Sequence, residues 1–148
     1  MKKVLFLLFS ALLMTSCSNL DKPSEKKKSI YQSYIEDNKL EGLDKIHSFR
    51  FHGWRSLDNE NLIISTSHNR PYLVQLKNYC GELRFANTIL INSSSSSLHA
   101  KFDSIQVADS NPMSKHREKC FIKALYKLSK EQADEIDSLD KKKEESTE

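Results

Sequence analysis

The 148 residues leave room for one modest domain, and 38% hydrophobic with 29% charged residues is the composition of a folded chain with polar ends. With Lys2 and Lys3 set aside as part of a leader, 21 basic residues face 20 acidic ones, which excludes the strongly basic footprint of a nucleic-acid-binding protein. Clusters such as EKKK (25–28) and DKKKEE (140–145) mix both signs and read as solvated surface.

The first sixteen residues, MKKVLFLLFSALLMTS, have a basic start, an apolar run from Val4 to Met14 and then small polar residues, the pattern of an export signal. The run is shorter than the roughly 20 residues that span a bilayer. LMTSC, ending at Cys17, resembles the lipobox of bacterial lipoproteins, with Met14 standing where leucine is more usual. That resemblance implies cleavage before Cys17, a diacylglycerol thioether on its sulfur and acylation of the new N-terminus. In Gram-negative lipoproteins an aspartate directly after the cysteine commonly signals retention in the inner membrane; Ser18 holds that position, so the resemblance favours the outer membrane, facing the periplasm. The competing reading is a secretory signal with an incidental cysteine. Several acyl chains would hold the protein firmly, at about 0.8 kcal/mol per buried methylene.

From Cys17 to Lys28 the chain reads as a lipidated cysteine and a polar tether. A single domain is expected over residues 29–139. Its first element is a helix, because Ile30, Tyr31, Tyr34 and Ile35 share one face, with Gly42 expected to end the segment. Period-two patterning then predicts strands at Ile46–His52, Asn61–Ser67, Pro71–Lys77, Asn87–Asn92, Leu98–Val107 and Lys119–Leu128. HGWRSLDNE (52–60) is dense in functional side chains but reads as a turn between two strands, with Trp54 a core or rim aromatic and Arg55 able to pair with Asp58. Tyr72, Val74 and Leu76 share a face. Cys120, Ile122, Ala124, Tyr126 and Leu128 share another. Between Phe102 and Ile105 the pattern changes phase, which predicts a bulge or bend near Asp103. NSSSSS (92–97) reads as a hairpin loop and 108–118 as a longer exposed connection. Ser129 and Gln132 match a capping box, after which Ala133, Ile136 and Leu139 share a helix face. The tail 140–148 reads as disordered.

Cys80 and Cys120 remain once Cys17 is removed, and in an exported chain they are expected to form a disulfide. A zinc or redox site is the competing reading, against which stands the lack of any CxxC pair. Of the five histidines, His47 and His52 would point to opposite faces of one strand about 16 Å apart, too far to share an ion. No cofactor or metal is expected. No G-x-S-x-G elbow is present, and three glycines leave little for a phosphate loop. His99, Asp103 and a serine are the components from which a hydrolase would have to be assembled.

HGWRSLDNENLIISTS, NRPYLVQLKNYCGELRFANTILI, LHAKFDSIQV and KCFIKALYKL together are similar to a family of small exported bacterial proteins of unknown role. The resemblance rests on Trp54, Asp58, Tyr72, Leu73, Cys80, Leu83, Ala86, Asp103 and Cys120 and extends over about Ile46 to Leu139. It implies the compartment and the disulfide and supplies no activity.

The expected architecture is mainly β, about six antiparallel strands as a small curled sheet or barrel with a short helix at either end. The expected function is that of a noncatalytic envelope lipoprotein, held to the membrane by the lipid on Cys17, that binds or supports another envelope component. Trp54, Arg55, Asp58, Tyr72 and Asp103 are its candidate binding residues. A periplasmic lysozyme inhibitor is a sharper version of the same idea, and a hydrolase acting on envelope material is the alternative from another class.

Overall fold

The computed structural model describes residues 28–108 and 119–145. The expectations for the leader, Cys17, nearly all of the tether and most of the 108–118 connection lie outside those residues.

Helix α1 (Ile30–Asp37) starts at Ser29, whose hydroxyl accepts from the Gln32 amide. Tyr31, Tyr34 and Ile35 turn inward, while Ile30 stays at the surface. The helix stops well before Gly42: the Asn38 amide bonds back to the Tyr34 carbonyl, and Lys39 takes the left-handed conformation at φ 50° that a helix exit needs. Gly42 instead opens β1 (Gly42–Leu43), followed by β2 (Lys45–Ile46).

The strand expected at Ile46–His52 is not formed. Ser48, at φ 48°, breaks the extended path. Phe49 packs on the core and Phe51 is exposed, so their alternation belongs to a loop. The strand lies one step later, β3 (Gly53–Ser56), inside the stretch read as a turn; the turn itself is the four residues 57–60 before β4 (Asn61–Ser65). Next come β5 (Pro71–Leu76), a 3-10 turn at Leu83–Phe85 and β6 (Ile89–Asn92). The expected strand Leu98–Val107 is two, β7 (Leu98–His99) and β8 (Ser104–Val107), separated by a turn through Lys101 at φ 71°. The phase change therefore marks the bend, one of the two expectations near Asp103, and Phe102 is exposed on it. β9 (Cys120–Lys127) and helix α2 (Lys130–Glu145) complete the chain. The helix reaches Glu145, well into the tail expected to be disordered.

Six strands are hydrogen-bonded in the order β3-β4-β5-β9-β8-β6, antiparallel at every step. β1 runs along the second half of β9, on the edge that β8 uses at its start, and β2 pairs with β7. Among the described residues β3 and β6 do not pair with one another, so the curled sheet stays open.

The sheet separates two cores. Within its curl, Leu62, Ile64, Tyr72, Val74, Leu76, Ile105, Ile122 and Leu125 pack with Leu83 and Leu98. On the other face Ile63, Leu73 and Leu128 pack against Tyr31, Tyr34 and Ile35 of α1 and Ala133 and Ile136 of α2. This explains the unbroken apolar run Leu62-Ile-Ile: alternate residues enter different cores, each full burial contributing about 1.5–3 kcal/mol. In β9 the shared face expected for Cys120 to Leu128 is interrupted. Gln75 pairs with Ala124 but Leu76 with Ile122, and the extra residue sends Cys120, Ile122 and Leu125 into the curl and Tyr126 and Leu128 toward the helices. Cys80 and Cys120 are disulfide-bonded, Cα atoms 5.7 Å apart across a separation of 40 residues.

Candidate functional site

Strand alternation places Arg55 opposite Ile63, which faces the helices, and Trp54 opposite Ile64, which faces the curl. Across from β3 stands the first turn of α2. Ser129 and Gln132 form the expected capping box, the Ser129 amide donating to Gln132 Oε1 (2.9 Å) and the Gln132 amide to Ser129 Oγ (3.2 Å). That cap starts the helix with Lys130, Ala133 and Asp134 toward β3. Between the two lies a cleft of about 300 Å³, also bordered by His52, Gly53, Trp54 and Ser65, by His68 from the β4–β5 turn and by Pro71 at the start of β5.

Arg55 is the link across its floor. Its Nη2 donates to the Ala133 carbonyl (3.0 Å), and its Nε lies 2.5 Å from Asp137 Oδ1 without its N–H being aimed at that oxygen. The carbonyl contact is therefore the directional one. Burial pushes the Asp137 carboxyl above the usual carboxylate range, outweighing the attraction of Arg55. The cleft thus offers two imidazoles, the Lys130 ammonium, the Asp134 carboxylate and a hydroxyl around apolar Ile63 and Pro71, a lining suited to hydrogen-bonding a polar ligand or partner segment. Two histidines share it, but among the described residues no three His, Cys, Asp or Glu side chains are grouped to hold a metal ion.

Of the five candidate binding residues, Trp54 and Arg55 border this cleft and the other three lie elsewhere. Asp58 does not pair with Arg55; its Oδ1 accepts from the amides of Glu60 (2.8 Å) and Asn61 (2.7 Å) and from Asn61 Nδ2 (2.9 Å), which closes the β3–β4 turn. Tyr72 is a core residue. Asp103 is buried, its carboxylate accepting from the amides of His99 (2.7 Å) and Ser94 (3.4 Å), with His99 Nδ1 3.4 Å away. Among the described residues no serine hydroxyl hydrogen-bonds to His99.

His52, His68, Lys130 and Asp134 were not legible as one group. His68 belongs to the HNRP turn and Lys130 and Asp134 to the capped helix start, so each had a local signal, but none that related it to β3. A second polar cluster was also unforeseen. Under α1 the buried, cross-strand pair Asn61 and Gln75 connects with Gln32 and the Tyr126 hydroxyl through contacts of 3.4 Å. Nearby, Arg84 donates to the Leu57 carbonyl and lies 3.5 Å from Asp140, which accepts from Tyr31 Oη at 2.5 Å.

The chain belongs to a family of unknown function, DUF6491, whose family model matches residues 1–145. Comparison with curated proteins and with solved structures gave no match for it.

Proposed function

We propose that this protein is a lipid-anchored, noncatalytic component of the cell envelope, held through Cys17 to the periplasmic face of the outer membrane, where it binds or supports another envelope component. The observation that carries the reading is the buried Cys80–Cys120 disulfide, a bond that persists in oxidising compartments, in a chain whose leader and LMTSC motif resemble those of exported lipoproteins. The cleft between β3 and α2 is the surface assigned to the partner, because Arg55 ties β3 to α2 there and His52, His68, Lys130 and Asp134 border the same opening.

Cys17→Ser is expected to release the protein from washed membranes or leave it unprocessed, with fractionation as the readout. Full retention of the variant would sink the anchor. Crosslinking from membranes should capture a specific neighbour, and Lys130→Glu together with His68→Ala should reduce that capture. A lysozyme assay separates the inhibitor version. The second reading, a hydrolase of envelope material, is favoured by the contact between His99 and buried Asp103. Turnover of peptidoglycan or envelope lipid by the wild type, lost in His99→Ala, would establish it in place of the binding role.

A further inference from the structure

The sheet face that carries α1 and α2 continues beyond them. Helix-side packing involves Leu57 just after β3, Ile63 of β4, Leu73 of β5 and the end of β9, and no residue of β6 or β8 takes part. On that outlying part the register sets Leu90 beside Gln106, and Phe121 beside Ser104 and in line with Asn92. Their neighbours Ile89, Ile91, Ile105 and Cys120 point the other way, into the curl. Leu90 is 40% exposed and Phe121 45%. Phe102, 79% exposed, projects from the β7–β8 turn, which hydrogen-bonds to Ile122 through the Lys101 amide and the Asp103 carbonyl. Lys119 and Lys123 flank Phe121 on its own face of the strand, and Lys101 precedes Phe102; all three are exposed. Among the described residues Asp103 is the acidic one within this strip and is buried on backbone amides, and exposed Asp44 beside the turn offsets one charge.

We infer that this face is a membrane-docking surface for an anionic phospholipid bilayer, with Phe102, Phe121 and Leu90 entering the boundary between headgroups and acyl chains and Lys101, Lys119 and Lys123 meeting the phosphates. Exposed phenylalanines interleaved with lysines fit that boundary, which is apolar on one side and negatively charged on the other. The inference rests on the anchoring proposed above. Eleven residues from Ser18 to Lys28 reach at most about 40 Å, so a lipid on Cys17 would keep the domain close to the surface and make a weak patch effective.

The test uses mature protein reconstituted in vesicles of phosphatidylethanolamine and phosphatidylglycerol, with its intact mass reporting the lipid on Cys17. Combining Trp54→Phe with Phe102→Trp moves the sole tryptophan onto the face. Brominated acyl chains should quench its emission about twofold, and raising the salt to about 0.5 M should reverse that. The unsubstituted protein, whose tryptophan lies on β3 at the far end of the strand order, should stay unquenched. A second measurement needs no substitution: acetylation of Lys101, Lys119 and Lys123 should be slower on anionic vesicles than on phosphatidylcholine, while Lys39 and Lys141 do not change. Unquenched emission from a folded variant, or equal acetylation on both lipids, would overturn the proposal. So would protection that persists in detergent, which assigns the face to a protein neighbour. A mass without lipid defeats the anchoring reading alone, and acetylation on adding the same vesicles then still decides docking.

Discussion

Asp58 and Asp103 each sit where the chain reverses, and each carboxylate gathers the amides that the reversal would otherwise leave unpaired. Their chemistry is that of turn closure. Tyr31 and Tyr34 do the corresponding work between helices, donating to Asp140 and to Glu135 (2.7 Å) of α2. Burial, reinforced by those carboxylate partners, raises both phenols well above the ordinary tyrosine value. A group whose folded value is raised contributes stability that is present below its unfolded value and lost as pH rises toward the folded one. Stability measured by urea unfolding should therefore decline above about pH 10, where unfolded tyrosines ionise and buried ones are held neutral. Tyr31→Phe should cost about 2 kcal/mol at pH 7 through the lost bond to a charged acceptor and should flatten the alkaline decline. An equally steep decline in the variant would remove Tyr31 as its cause.

Helix α2 is the element on which both the second core and the cleft depend. Its start is defined by the Ser129–Gln132 box, and its buried stripe of Ala133 and Ile136 lies on the sheet, while Arg55 ties its first turns to β3. Ser129→Ala should cost about 1 kcal/mol of stability, the usual effect of losing an N-cap hydroxyl. Because Lys130 and Asp134 ride on that turn, amide exchange should quicken at Lys130–Asp134 ahead of the sheet. Uniform quickening throughout the domain would show that the cap acts only through global stability. The irregularity of β9 matters at the same scale: one extra residue lets a single strand supply Ile122 and Leu125 to one core and Tyr126 and Leu128 to the other.

For the whole molecule, the disulfide joins the stretch after β5 to the start of β9, and the 40-residue separation it closes takes in β6, β7 and β8. In the loop-entropy account a closure of that length lowers the freedom of the unfolded chain by about 4 kcal/mol. Replacing both cysteines with Ala should lower the thermal midpoint by several degrees or more, the loss falling first on β6 and β8. These two strands contribute to the inner core, whereas the helix-side core has no residue from them. A midpoint unchanged within error would show that the bridge does not hold this part of the sheet.

Period-two patterning was enough to indicate Asn61–Ser65, Pro71–Leu76 and Cys120–Lys127, because β-branched and aromatic runs between polar turns leave few other ways to bury themselves. Both helices were legible from their apolar faces, the second also from its capping box, and the disulfide from the cysteine count together with the export expected of the leader. What only the tertiary structure decided depends on contacts between distant segments. The alternation of Phe49 and Phe51 resembles a strand, yet Ser48 and Lys101 adopt positive φ where the chain must reverse, and no local composition specified those reversals. Strand phase in β9 is set by its pairing with β5, and the length of α2 by a sheet that accepts its buried stripe. The cleft follows the same rule: Trp54 and Arg55 stood out in the sequence, but His68 and Lys130 join them only because a curled sheet and a packed helix bring separate turns to one place, a proximity that local sequence periodicity does not encode.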